Sequence, residues 1–209
     1  MITQTTYAMT ATLQRTINLL PIGQITSERK EIIQPLIDYM QSKLNLGESI
    51  NLNFICTHNS RRSQFAQLWA HTAGHYYDIP VKSMSGGVEV TAFNERAVDS
   101  VKRMGFRVFY AKEENPIYSV FDTEDGKSLK MFSKLFDDPK NAVDKFAAIM
   151  TCDHADENCP YIPGTESRIP IRYEDPKAFD DTPEEATKYD ERSLQIGAEM
   201  FYAFSQISR

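Results

Sequence analysis

Ile50-Asn51-Leu52-Asn53-Phe54-Ile55-Cys56-Thr57-His58-Asn59-Ser60-Arg61-Arg62-Ser63 reads as a strand running straight into a loop and then a helix. Ile50, Leu52 and Phe54 alternate and Ile55 extends the apolar run, as in a strand. Phe65, Leu68, Trp69 and Thr72 then recur at helical spacing over residues 62–76. A strand, a short loop and a helix N-terminus make an anion site, because the loop N–H groups converge and the helix dipole adds to them. Cys56 opens the loop and would lie beside the anion, where the same N–H groups favour its thiolate, the nucleophilic form. Arg62, six positions on, can return to grip an oxyanion through two parallel hydrogen bonds. Ser63 can donate to the sulfur. Cys56 and Arg62 are therefore candidate catalytic residues, and Thr57, His58, Asn59, Ser60, Arg61 and Ser63 candidate substrate-binding residues.

Working outward, residues 81–85 form a short strand ended by Gly86-Gly87, 94–104 a helix, 107–111 a third strand and 146–151 a fourth. Helices between strands imply crossovers, hence an α/β fold with a four-stranded parallel sheet and helices on both faces. The last helix carries a capping box, Thr182-x-x-Glu185, with Pro183 at its first position. Its apolar stripe is Leu194, Gly197, Met200, Phe201, Phe204 and Ile207. Residues 1–48 read as an N-terminal helical extension to the 49–209 domain. Within it, 3–16 is polar and expected to pack loosely or fray. Residues 27–44 make a helix with Ile32, Ile33, Leu36, Ile37, Met40 and Leu44 on one face, and Pro35 kinks or starts it. Residues 112–144 do not fit a tight crossover. The stretches 117–121 and 129–132 flank 122–126 as a hairpin insertion that carries no catalytic group.

Lys plus Arg total 23 against 29 Asp plus Glu, a net charge of −6, and no basic run argues for nucleic acid as a partner. No apolar run approaches the ~18 residues a membrane span needs. The N-terminus lacks the features of a signal peptide, so the expected compartment is the cytoplasm. Three cysteines are too few, and the wrong parity, for a disulfide scaffold; in a reducing compartment they are buried, metal-binding or reactive. His71 and His75 read as core or solvated histidines, and no metal ligand or cofactor is assigned.

The C-x5-R-S motif after the first strand of a small α/β domain resembles the low-molecular-weight protein tyrosine phosphatases and the thioredoxin-coupled arsenate reductases built on that fold. Cys152-Asp153-His154-Ala155-Asp156-Glu157-Asn158-Cys159-Pro160 is similar to the redox segment of the reductases. The resemblance covers about residues 49–209 and implies reduction of arsenate to arsenite coupled to thioredoxin. In it Cys56 attacks the oxyanion, Cys152 displaces arsenite to form a Cys56–Cys152 disulfide, and Cys159 takes over the bond for thioredoxin. The family's general acid is an Asp-Pro aspartate. Chain order favours Asp175-Pro176 over Asp138-Pro139, which reads as turn chemistry. The alternative is a phosphatase, in which the same Cys56, Arg62 and Asp175 hydrolyse phosphomonoesters and water resolves a phosphocysteine. Departures are His58, where many members have glycine, and Arg61, where the reductases often have cysteine. Gln67 stands where a potassium-associated glutamate can occur. Ser85 matches a serine expected to pair with Asn59.

Overall fold

In the computed structural model, which describes residues 8–158 and 162–208, the elements are α1 (Ala11–Asn18), α2 (Ser27–Asn45), β1 (Ile50–Cys56), α3 (Arg62–Tyr76), β2 (Val81–Gly87), α4 (Glu95–Arg103), β3 (Arg107–Phe109), β4 (Tyr118–Phe121), β5 (Leu129–Met131), β6 (Phe146–Met150), α5 (Asp153–Asn158), β7 (Thr165–Pro170) and α6 (Glu185–Ser205). The main sheet is parallel throughout, in the order β2-β1-β6-β7. One face packs on α2, α3 and α6, through Leu52, Phe54, Leu68, Trp69, Phe201 and Phe204. The other is covered by the short α5 and by the end of the insertion, through Ile55, Met84, Ala148, Met150, Ala155 and Phe136. The expected four-stranded sheet with helices on both faces is thus present, with the second layer thinner than the first.

Coverage on both faces explains β1. All seven of its residues are buried, as a central parallel strand requires. Asn51 and Asn53, which alternation would leave to solvent, instead donate to the backbone carbonyls of Lys145 and Phe136 and so tie the insertion to the sheet.

Three expectations are corrected. The strand at 107–111 shrinks to β3 and leaves the main sheet; it pairs antiparallel with β4, which pairs with β5. It is three residues long with Phe109 56% exposed, too short and too open for a parallel core position, and the fourth place goes to β7. Of the 3–16 stretch, residues 3–7 lie outside the described residues, and 8–16 do not simply fray: Thr10 caps α1, accepting from the Leu13 N–H and donating to the Gly105 carbonyl, and Leu13 and Ile17 are buried in the main core. The i, i+4 pair of apolar side chains decides this over the polar average. In α2, Ile32 faces solvent and Pro35 stands inside the helix. The hairpin at 117–132 forms as expected. The C-terminal helix begins at Glu185, so Thr182 accepts from the Glu184 N–H while the Glu185 carboxylate accepts from the Asp181 N–H. No helix among the described residues is long and apolar enough to cross a membrane.

Candidate active site

Ligands of open parallel sheets sit beyond the carboxyl ends of the strands. Cys56 ends β1, and Cys152 lies two residues past the end of β6, the neighbouring strand. Topology therefore brings two of the three sulfurs to one edge of the sheet. Both are free and buried. Cys152 Sγ is 3.5 Å from Thr57 Oγ1, on the wall of the loop, and accepts from the Ala155 N–H at the start of α5. Cys159 lies outside the described residues.

The loop joins β1 to α3. None of the N–H groups of residues 57–61 donates to a backbone acceptor among the described residues. Asn59 takes a positive φ of 47°, a conformation asparagine tolerates better than most residues. Its side chain donates to Ser63 Oγ at 2.9 Å and accepts from the Lys134 N–H. Ser63 Oγ is in turn 3.1 Å from Cys56 Sγ. The Ser60 hydroxyl donates to the Ala92 carbonyl. Gly87 is required beside this loop, because a Cβ there would stand 2.8 Å from the Asn59 nitrogen. His58 points outward, 3.2 Å from Glu89, and leaves its carbonyl to Ser133 and Thr91.

Arg61, Arg62 and Asp175 form one cluster. Arg61 Nε donates to Asp175 Oδ1 at 2.7 Å, and Arg62 reaches Asp175 Oδ2 at 2.9 Å. Arg62 also donates to the Tyr173 carbonyl, and its buried Nε has no acceptor among the described residues. Burial pushes the Asp175 carboxyl up, but the bonds from Arg61 and the charge of Arg62 outweigh it, and the net shift is down. Asp175 also caps the turn at Pro176–Phe179 through the Lys177 N–H. Asp138 caps Pro139–Asn141 in the same way, through the Lys140 N–H.

Two readings change. Ser85 donates to Gln67 Oε1 at 2.6 Å rather than pairing with Asn59, and Gln67 spends its amide on the Ser83 carbonyl. The insertion is not remote from the site either. Phe132 accepts from Gln64, Ser133 donates to the His58 carbonyl, Lys134 bonds both Asn59 and Gly87, and Phe136 donates to the Gly87 carbonyl. The sequence carries no signal for these braces around the loop, because their contacts are made mainly by backbone. A cleft of about 510 Å³ borders the loop at His58, Ser60 and Arg61 and runs to Phe93, Arg96 and Lys177, without reaching Cys56.

No family model matches the chain. Among curated proteins it is 27% identical to arsenate reductase 2 of Staphylococcus haemolyticus, over 59% of this chain and 76% of that one. It is 28% identical to the arsenate reductase of Halalkalibacterium halodurans, over 63% and 78%. Both of these relatives are arsenate reductases. Among solved structures, a thioredoxin-dependent arsenate reductase from Corynebacterium glutamicum aligns over 92% of this chain and 96% of its own, at 17% identity and a TM-score of 0.41.

Proposed function

We propose that the chain reduces arsenate to arsenite, with Cys56 as nucleophile and thioredoxin as the source of electrons. The observation that carries this reading is Cys152: a second buried thiol on the wall of the anion loop, 3.5 Å from Thr57 Oγ1. Hydrolysis of a phosphoester has no use for it. The arsenate reductases among the relatives support the same reading.

The Cys56 thiolate attacks arsenic while the N–H groups of residues 57–62 and the Arg62 guanidinium hold the oxygens. Ser63 positions the sulfur. Asp175, once protonated, gives its proton to the leaving oxygen, which departs as water. Arrival of an oxyanion draws Arg62 away from Asp175, which lets the carboxyl take up that proton. The Cys152 thiolate then attacks Cys56 Sγ. The sulfur–arsenic bond breaks, its electron pair stays on arsenic, arsenite leaves, and a Cys56–Cys152 disulfide remains. Cys159 attacks Cys152, freeing Cys56, and the dithiol of thioredoxin reduces the Cys152–Cys159 bond.

Variants at the two accessory cysteines test this. Cys152→Ser stops arsenite release after adduct formation and leaves p-nitrophenyl phosphate hydrolysis nearly unchanged. Cys159→Ser permits one turnover, traps the Cys56–Cys152 disulfide and blocks recycling by thioredoxin. If both variants reduce arsenate like the unmodified chain, the reductase reading fails and a phosphatase built on Cys56, Arg62 and Asp175 takes its place.

A further inference from the structure

His71 and His75 stand four residues apart on α3, on the same face of the helix. Opposite them is Asp122, at the tip of β4 in the inserted hairpin. Asp122 is 2% exposed. Its Oδ2 lies 2.7 Å from His75 Nδ1, while its Oδ1 is buried without a hydrogen-bond partner among the described residues. His71 Nε2 is likewise buried and unpartnered. The two imidazole rings are 4.3 Å apart, centroid to centroid. One ligand atom from each of the three residues falls within 4.8 Å of the other two.

Two orphaned polar atoms in one pocket are costly, because each has given up water without gaining a partner. A third partner that accepts lone pairs from both would remove the cost, and a divalent cation is such a partner. The donor set is two imidazoles and one carboxylate. We propose that His71, His75 and Asp122 form a binding site for a first-row divalent cation of the zinc class, which pins the inserted hairpin to α3.

The chemistry of the donors fits zinc. Imidazole and carboxylate ligands bind it at about 2.0–2.2 Å, which sets tetrahedral ligand atoms about 3.3 Å apart. From its 2.7 Å the His75–Asp122 contact needs to open by about 0.6 Å, and His71 to close on it. His75 is the outermost of the three, with its side chain 47% exposed, so a water from that side completes the shell. Burial pushes His71 down to about 4, so this ligand is already in the neutral form a metal needs. The Asp122 carboxylate pushes His75 up, so binding releases its proton. Geometry also says what the cation would join: α3 leads back to the anion loop, and the hairpin leads on to the Phe132–Phe136 stretch that braces it.

The test is zinc titration of the full chain, with Cys56→Ser as a parallel background because a thiolate also takes zinc. Calorimetry is expected to give one site per chain in both proteins. Long-range nitrogen NMR is expected to shift the ring signals of His71 and His75 together, and cobalt(II) to give a tetrahedral spectrum without a sulfur charge-transfer band. Thermal unfolding is expected to rise by about 5 °C or more at zinc 100 times Kd. His71→Gln and Asp122→Asn are each expected to weaken binding about 100-fold. His75→Gln, on the half-exposed ligand, repeats the test should the buried variants not fold. Binding that vanishes with Cys56→Ser yet survives these three changes overturns the proposal, as does saturation with zinc that moves neither imidazole. A thiol site would show itself by the first outcome while leaving the reductase reading untouched.

Discussion

Asp175, the acid of the proposed mechanism, is held as a carboxylate between Arg61 and Arg62. Its pKa lies below the ordinary 3.8. A carboxyl lowered in the fold contributes stability that is complete above the unfolded pKa and is lost as pH falls through the folded one. Acid unfolding should therefore separate Asp175→Asn from the unmodified chain fully above about pH 4, the gap closing as pH falls through the lowered pKa. A gap that persists undiminished into strong acid would mean that the side chain acts through packing. The rate has the opposite need, since only the protonated form is an acid. Arg61→Gln removes one cation and a hydrogen-bond donor from the carboxyl and so raises its pKa. The alkaline limb of the kcat/KM profile for p-nitrophenyl phosphate should move to higher pH. A limb that stays in place would show that some other group supplies the proton. At this scale Cys56, Arg62 and Asp175 were legible in the sequence, because motif and chain order both mark them. The grip of Arg61 on Asp175 was not: nothing local says which side of the loop a long side chain takes.

Among the elements, the inserted segment departs most from its sequence reading. Its hairpin was visible as two apolar stretches around Asp122–Gly126, and so were β1, β2, β6 and the helices around them, each carried by a period of two or of 3.6. What escaped was pairing. Three-residue β3 has no pattern to say which sheet it joins, and 132–141 has almost no regular structure, yet it fixes Asn59, Gly87 and the His58 carbonyl. Replacing 114–139 with a Gly/Ser link, which the sequence treats as harmless to the chemistry of Cys56, should instead loosen the anion loop. Phosphate should then no longer protect Cys56 from iodoacetamide. A folded deletion with protection intact would restore the view that the insertion is peripheral. Gly86→Ala probes the same contact more gently. Its Cβ would meet the Phe136 Cα at 2.2 Å, with backbone rather than a flexible side chain in the way. A stability loss of about 1–3 kcal/mol is expected from such overpacking, readable in denaturant unfolding, along with weaker phosphate protection.

Across the whole molecule, the N-terminal extension reaches the active site through a buried relay. Arg29 of α2 makes two 2.8 Å bonds to Glu199 of α6. Glu199, 2% exposed, also accepts from the Tyr173 hydroxyl at 2.7 Å. The carbonyl of Tyr173, which lies two residues before Asp175 in the chain, holds Arg62. Arg29 stacks over the Tyr173 ring as well, 4.8 Å from its centroid. Leu13, Ile33, Leu36 and Met40 are fully buried in the same core as Trp69 and Phe201, so residues 8–48 close one side of the fold. Two consequences follow from one arrangement. A chain cut to 49–209 would expose that core face and should fail to fold cooperatively, whereas a true appendage could be removed at little cost. Arg29→Ala keeps the core but strands a buried carboxylate, which costs about 3 kcal/mol when a partner is deleted. Arg29→Met, with similar packing and no charge, leaves the same carboxylate and should lose nearly as much. Arg29→Ala combined with Glu199→Gln should recover a large part, because the charge that needed a partner is gone. If the single and double variants unfold at the same denaturant concentration, Glu199 does not depend on Arg29, and the link from the extension to Tyr173 and Arg62 is one of packing alone.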